Sequence, residues 1–566
     1  IIIFLVNIIK MSEKPAKLTK NEIIKAENPS LAGNIGVTLH DPEAEKFDSN
    51  DQQFLKFHGI YQQDDRDLRK QGRKYMFMIR GRIPGGVVSP DLYLTYDRLS
   101  EDYGNKTMRV TTRQSFQFHG VVKSGLGPLM RGINDALSDT LAACGDVNRN
   151  VLAPPTPSTS RLTEQVYEDA KRVSDALLPT TKAYHQIWVE GEPLKLEDDD
   201  HEDPLYGKTY LPRKFKVAFA IPPLNDTDVL ANCLGFVAVE KNGELIGYNL
   251  TAGGGMGMNH NNEKTYPRVA DVVGFFRLEH LIEVSKAVLT VHRDFGDRTN
   301  RRHARLKYVI AEQGVEWFRD EINRRVSFEL EDPHPFEFRK QGDVHGWHQQ
   351  FDGNLFLGLH ILAGRVKDTE SVKLKSALRK IVSEYRLQVR LTAAQNLVLV
   401  NVTPDLRDSI DQILTDHGIN TSESQGVSEL QLGSMACPAL PTCGLSLAES
   451  ERFLPDLLGT VENLLEDNGL GNERVILRMT GCPNGCARPY MAELGFVGRR
   501  ANIYALYLGG NEEGTRLSRL YDQDVKVEEL PEKLGGLFAR FKAERENSER
   551  FGDFCARVVW PEQDAA

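Results

Sequence analysis

The chain has 566 residues, of which 40% are hydrophobic and 27% charged, ordinary proportions for a globular protein. At about 150 residues per domain this length gives roughly three or four packed units with ample apolar core. A formal charge of -10 excludes a nucleic-acid binder held by a broad basic surface, so any anionic ligand must be gathered by a local cluster of cations.

The first ten residues, IIIFLVNIIK, are too short to cross a bilayer and lack the basic leader and small-residue cleavage site of a signal peptide. The polar sequence from Met11 reads as the start of the protein proper. No later run reaches about 18 apolar residues, so no membrane span is expected. Residues 1 to 70 are polar and broken by Asn, Pro and Gly, the pattern of an extended docking or oligomerisation arm. From Tyr75 onwards short β-rich runs alternate with amphipathic stretches such as GPLMRGINDALSDTLAAC and LIEVSKAVLTVHRDFG, which predicts an α+β fold. The stretch VLAPPTPSTS at 151–160 reads as a break and LEDDDHEDP at 196–204 as a solvated acidic loop.

An internal repeat organises the chain more than either break. RVTTRQSF begins at Arg109 and RLTAAQNL at Arg390, with Arg, Thr and Gln at the same offsets. Each follows a β-rich run (YMFMIRGRIPGG from Tyr75, NLFLGLHILAGR from Asn354), so a duplicated α+β unit with pseudo-twofold symmetry is expected. Read as one strand, RVTTRQSFQFH sends Arg109, Thr111, Arg113, Ser115, Gln117 and His119 to a single face. That face is either solvent-exposed or a binding surface for a ligand rich in carboxylates, which guanidinium groups grip through paired, charge-assisted bonds. In YLPRKFKVAFAIPP, Lys214 and Lys216 share a face with Arg213 opposite, an arrangement suited to an anion between the two lysines. Arg82 in GRIPGG and Arg149 in NRNV add possible anion-binding groups in loops.

Seven cysteines are too few and too unevenly spread for a secreted disulfide scaffold, which favours thiols used as ligands in a reducing, cytoplasmic setting. Cys144, Cys233 and Cys555 stand alone and read as small buried hydrophobes. Cys437 and Cys443 fall in SMACPALPTCGLSLAE, and Cys482 and Cys486 in RMTGCPNGCARPYMAELGFVG. Four thiolates in two loops imply one metal centre. The wide spacing favours an iron–sulfur cube over zinc, without excluding zinc.

TGCPNGCARPYMAELGF, with Glu493 seven positions after the last cysteine, resembles the signature of the sirohaem and iron–sulfur sulfite and nitrite reductases. The resemblance extends through SMACPALPTC, RQSFQFHG, DVNRNV, YLPRKFK and RDFGDRTNRR, from about residue 15 to the end of the chain. It is strongest to members that act as the haemoprotein component beside a flavoprotein. It implies a pseudo-twofold α+β architecture with ferredoxin-like halves at 71–145 and 346–424, a sirohaem and substrate domain at 146–345, and a 4Fe-4S and sirohaem domain at 425–566. It further implies that Cys437, Cys443, Cys482 and Cys486 bind the 4Fe-4S cluster, with Cys486 bridging to the sirohaem iron. Arg109, Arg113, Gln117, Arg213, Arg305 and Asn484 are implied around the sirohaem, whose eight carboxylates account for an arginine row. Arg82, Arg149, Lys214 and Lys216 are implied in the anion pocket.

The expected reaction is the six-electron reduction of sulfite to sulfide, with Lys214 and Lys216 donating protons and Arg82 and Arg149 clamping the anion. Relatives acting on nitrite tend to replace the second lysine of the K-F-K pair, and Lys216 keeps sulfite in front. AGGGMGMNH at 252–260 lacks the spacing of a dinucleotide loop, so electrons are expected from a partner, either a flavoprotein carrying FAD and FMN and using NADPH or a ferredoxin. A hetero-oligomer follows. A purely structural iron–sulfur protein would leave the lysine pair and the arginines without a purpose.

Overall fold

The computed structural model describes residues 17–157, 161–181, 188–189, 192–193, 202–422 and 426–565. The alternation in YMFMIR makes Tyr75–Arg80 a strand that buries Phe77 and Ile79 completely. It lies between Ile60–Asp64 and Phe116–Val121 in a five-stranded sheet that continues through Met108–Val110. The last strand of that sheet, Arg365–Val366, comes from the second half of the chain. The second half forms its own sheet from Gly346–Gln349, Leu355–Leu359, Leu397–Val402 and Gln388–Leu391, and its last strand, Val87–Val88, comes from the first half.

The halves therefore exchange edge strands reciprocally, and glycines permit the exchange. Gly86 and Gly364 have φ of +73° and +74°. A Cβ on Gly86 would stand 2.5 Å from the Leu391 carbonyl oxygen, and one on Gly364 would stand 2.3 Å from that of Val110. Val110 and Leu391 occupy the same position in the two repeat copies, so the pseudo-twofold expected from the repeat is a physical contact.

Two sequence expectations need correction here. RVTTRQSFQFH is not one strand: Met108–Val110 and Phe116–Val121 form a hairpin, with Thr111 N–H donating to the Ser115 carbonyl at 2.9 Å. Arg109 stands opposite Gln117 across the hairpin, which keeps those two and His119 on one face, while Arg113 moves to the turn. That face is buried, with all four side chains at 8% exposure or less. The N-terminal segment is no extended arm. It forms helices at Lys20–Glu27, Ile35–His40 and Asp51–Phe57 and buries Ile24, Leu31, Phe47, Phe54, Leu55 and Phe57. Its apolar residues are sparse because each short helix buries only one side.

Two further sheets, one of four strands and one of five, reveal a second repeat that the sequence reading missed. In one, Val217–Ala220 runs parallel to Leu234–Lys241, followed by antiparallel Glu244–Ala252 and Asp271–Arg277. In the other, Leu477–Thr480 runs parallel to Leu494–Arg500, followed by antiparallel Ile503–Leu508 and Arg519–Lys526. Both central strands begin LGFV, at Leu234 and Leu494. Each is preceded by a tight turn entered through a left-handed residue, Asp228 or Arg488, and these two side chains form a buried ion pair.

The expected breaks at 151–160 and 196–204 fall partly outside the described residues. Within them, Leu152 pairs with Ala218 and is buried, and Asp203 is buried, receiving the Leu205 and Tyr206 N–H groups at 2.9 and 2.8 Å. No helix among the described residues is long and apolar enough to cross a membrane.

Candidate active site

Met435–Ala436 and Leu477–Thr480 are adjacent parallel strands, so the loops leaving their C-terminal ends emerge side by side. One loop carries Cys437 and Cys443, the other Cys482 and Cys486. None of the seven cysteines forms a disulfide. Burial, reinforced by the neighbouring cysteines, pushes the Cys437, Cys443 and Cys482 thiols up to about 12. Only a strongly cationic partner would hold such a group as thiolates. Donors already point at the sulfurs: Gly481 N–H reaches Cys437 Sγ at 3.3 Å and Asn484 Nδ2 reaches Cys482 Sγ at 3.5 Å. Hydrogen bonds of this kind tune iron–sulfur clusters. Among the described residues no three His, Cys, Asp or Glu side chains close around a single ion.

Cys486 is the exposed member of the quartet, and its charge is felt by both Lys214 and Lys216. A parallel bridge between Asn148 and Phe215 aligns the segment bearing Arg149 with the one bearing the lysines, and the Arg149 N–H donates to the Phe215 carbonyl at 3.0 Å. Burial, then Arg305 and Arg213, pushes Lys214 down to about 7. Burial, then Lys214 and Arg113, pushes Lys216 well below its ordinary value. The same crowding lowers Arg113 to about 9 and Arg213 to about 10. A cluster this cationic, with Arg113 and Arg305 buried and Arg149, Arg213, Lys214 and Lys216 half-buried, calls for an anion. Orphaned polar atoms mark its place: Arg113 Nε, Arg305 Nε, Asn148 Oδ1 and both ring nitrogens of His119 are buried without a hydrogen-bond partner.

The glycine run that resembled a weak nucleotide loop belongs to this site. A Cβ on Gly255 would stand 2.5 Å from Arg305 Nη2, and one on Gly257 would stand 3.3 Å from the Asn484 carbonyl oxygen. The run thus lets Arg305 and the second cysteine loop approach, and Met258 N–H donates to the Pro483 carbonyl at 2.9 Å. Lys307, which the sequence reading passed over, fastens the run by donating to the Gly255 and Gly257 carbonyls at 3.0 and 2.9 Å.

Arg82 stands apart from the other expected pocket residues. Its guanidinium is taken by Asp139 at 2.9 Å and Asp175 at 3.1 Å, with Ser174 Oγ at 3.1 Å. Arg80, two residues earlier, lies on the cluster side instead. It donates to Cys144 Sγ at 3.3 Å, faces the Gln117 amide oxygen in its correct orientation, and adds to the repulsion at Arg113 and His119. Arg109 is also engaged, donating to Glu451 at 3.0 Å and to the Ala436 carbonyl at 2.8 Å. Burial raises the Glu451 carboxyl, but Arg365 and Arg109 outweigh it and hold the group down at about 2. Because Glu451 N–H donates to the Cys437 carbonyl at 3.1 Å, Arg109 braces the first cysteine loop from behind. Glu493 of the signature faces away from the cysteines. It receives the Ile476 and Gly552 N–H groups at 2.9 and 3.0 Å and pairs with Arg550 at 2.7 Å, anchoring the C-terminal segment.

Two family descriptions match this chain: the nitrite/sulfite reductase ferredoxin-like half domain over residues 69–136 and 348–417, and the nitrite and sulphite reductase 4Fe-4S domain over residues 168–330. The sulfite reductase [NADPH] hemoprotein beta-component of Myxococcus xanthus is 47% identical, over 97% of this chain and 98% of that protein. The chain belongs to the nitrite and sulfite reductase family. The protein of the same name from Staphylococcus haemolyticus is 44% identical, over 97% of this chain and 96% of that protein. The solved structure of the Mycobacterium tuberculosis NirA protein superposes with a TM-score of 0.77 at 25% identity, covering 96% of both chains. The matched half domains are the two sheets that exchange edge strands, and the family's duplicated α+β fold is the one described above. The matched 4Fe-4S segment is the copy of the second repeat that lacks the cysteines. The four thiols lie in the other copy, whose central strand begins at Leu494.

Proposed function

We propose that this chain is the haemoprotein component of a cytoplasmic sulfite reductase, reducing sulfite to sulfide with electrons that a separate flavoprotein draws from NADPH. The observation that carries the reading is the partly buried cationic cluster of Lys214, Lys216, Arg113, Arg149 and Arg213 beside the exposed member of a cysteine quartet. The beta-component names of the relatives support a separate alpha component, and the free thiols support a reducing compartment.

The residues present fit the family's cofactors. Cys437, Cys443, Cys482 and Cys486 would hold the 4Fe-4S cluster, and the orphaned donors of Arg113, Arg305 and His119, with Gln117, Arg213 and Asn484, would meet sirohaem carboxylates and ring edges. When bound, these coupled cofactors supply the electrons. In SO3²⁻ + 6 e⁻ + 6 H⁺ → S²⁻ + 3 H2O each departing oxygen takes two protons, so the pocket must deliver protons repeatedly.

Lys214 and Lys216 are suited to this task. A bound dianion opposes the mutual repulsion of the cations and raises both lysines, loading a proton on each Nζ. Electrons delivered to the anion make its oxygens more basic, which draws these protons across, two for each oxygen that then departs as water. Arg149 and Arg80 orient the anion, Arg80 taking the place expected of Arg82.

The test is an anaerobic visible spectrum of protein purified from a host that makes sirohaem, before and after sulfite. Tetrapyrrole bands that move with sulfite, together with sulfide release from reduced enzyme, are expected. Full iron and labile sulfide without tetrapyrrole bands would overturn the reading.

A further inference from the structure

The segment just before the lysines is held by a chain of ion pairs that the proposed chemistry does not use. Tyr210, Leu211 and Pro212 present three consecutive carbonyls, and each is taken by a different cation. Arg298 donates to the Tyr210 carbonyl at 2.7 Å, Lys25 to that of Leu211 at 2.8 Å and Arg301 to that of Pro212 at 3.4 Å. Two buried carboxylates tie the cations together. Asp146 grips Arg301 in a two-pronged pair at 2.7 and 2.9 Å and lies 3.5 Å from Lys25 Nζ, while Glu22 bonds Lys25 at 2.6 Å and pairs with Arg298. Lys25 thus donates two hydrogen bonds, to Glu22 and the Leu211 carbonyl, and faces Asp146 as an ion pair. It is 2% exposed, as buried as Asp146 at 3% and Glu22 at 1%.

The bracket sits where it governs the pocket. Asp146 lies three residues before Arg149 and accepts the Leu211 N–H through its own carbonyl at 3.0 Å, so one residue joins the arginine segment to the lysine segment. Tyr210, at the start of the bracketed segment, has φ of +53°, a conformation that a buried non-glycine residue keeps only when its surroundings impose it. Lys25 and Glu22 belong to the first helix, Lys20–Glu27, and Tyr210 Oη donates to the Pro29 carbonyl just beyond it at 2.9 Å.

We propose that this ionic bracket positions the anion pocket, making Lys25 of the N-terminal helix a positioning residue for Lys214 and Lys216. This rests on the sulfite reading for its substrate, whereas the mechanical claim, that Lys25 fixes segment 210–216, stands without it. Hydrogen exchange of the full chain, followed by mass spectrometry over peptides covering 208–218, tests the mechanical claim. Spectral titration of the cofactor-loaded enzyme with sulfite tests the functional one.

Lys25→Met is expected to speed exchange across 208–218 at least tenfold and to raise the sulfite dissociation constant about tenfold, with iron and sirohaem content unchanged. Lys25→Arg should restore most of both. Lys375→Met is the control, because Lys375 is equally buried and paired with Asp97 and Glu101 but lies between the two ferredoxin-like halves. It should lower stability without changing either readout. If Lys25→Met fails to fold, Arg298→Gln removes the donor to the Tyr210 carbonyl from a more exposed position. Unchanged exchange, faster exchange with unchanged sulfite affinity, or an equal affinity loss in Lys375→Met would each overturn the proposal. A wild-type enzyme whose spectrum ignores sulfite would sink the substrate reading alone and leave the exchange result to decide the bracket.

Discussion

Arg80 and Arg82 offer the sharpest test of the anion pocket, because they are two residues apart in one motif and the structure gives them different work. Arg82 pairs with Asp139 and Asp175, whose side chains are 27% and 57% exposed. Pairs that solvent reaches contribute about 0.2–1 kcal/mol each. Arg82→Gln should therefore cost about 1–2 kcal/mol of stability and leave sulfite affinity within about twofold. Arg80 has no carboxylate partner among its hydrogen bonds and faces Gln117 and the cationic cluster. Removing one charge-assisted bond to a bound anion costs about 1.5–3 kcal/mol, which at 1.4 kcal/mol per decade weakens binding about 10- to 150-fold. The assay is spectral titration of both variants with sulfite alongside denaturant unfolding. A larger affinity loss in Arg82→Gln than in Arg80→Gln, or an Arg80→Gln that binds sulfite like wild type, would refute the assignment.

Gly364→Ala should lose about 3 kcal/mol or more, since its φ of +74° is unfavourable for alanine and the new Cβ would meet the Val110 carbonyl at 2.3 Å; a loss below about 1 kcal/mol by urea unfolding would show that the strand exchange tolerates slack. Cys443→Ala should abolish labile sulfide and most cluster iron while leaving far-ultraviolet circular dichroism intact, and a variant retaining full iron–sulfur content would remove Cys443 from the ligand set. Sirohaem binding to cofactor-free protein should take up protons, because burial and neighbouring cations hold Lys214 near 7 and Lys216 well below its ordinary value until carboxylates raise them. Calorimetry in buffers of different ionisation enthalpy should give a larger proton uptake at pH 8 than at pH 6, because Lys214 is mostly uncharged at pH 8 and mostly charged at pH 6 before the cofactor binds; no uptake at pH 8 would mean both lysines are already charged. The same depressed values make the unfolded chain bind more protons above pH 7, so the cofactor-free protein should gain stability as pH rises from about 7 towards the ordinary lysine value of 10.5.

Several features of the site were legible because they are short-range. The cysteines sit in two tight loops, the K-F-K pair spans three residues, and RVTTRQSF and RLTAAQNL carry the same residues at the same offsets. The LGFV repeat escaped notice because strands buried on both faces show no polar alternation to align. The N-terminal helices escaped because their apolar residues, such as Ile24 and Phe54, are too widely spaced to signal a core before the partner surface is known.

By itself, then, the sequence marked four cysteines in two loops as candidate metal ligands, showed a duplicated α+β unit and singled out Lys214, Lys216 and the arginines as a candidate anion site. These depend on residue type and on spacing within one or two elements. Tertiary structure alone decided which arginine is taken by carboxylates, because Asp139 and Asp175 reach Arg82 from distant segments while Arg80 faces Gln117 and Cys144. It also turned the assumed arm into a packed part of the fold, since Lys25 can hold the carbonyl of Leu211, 186 positions further on, only after the chain between them has folded back. A guanidinium or ammonium group carries no mark of its partner in the local sequence. The fold supplies the carboxylate that claims it or the space that leaves it free.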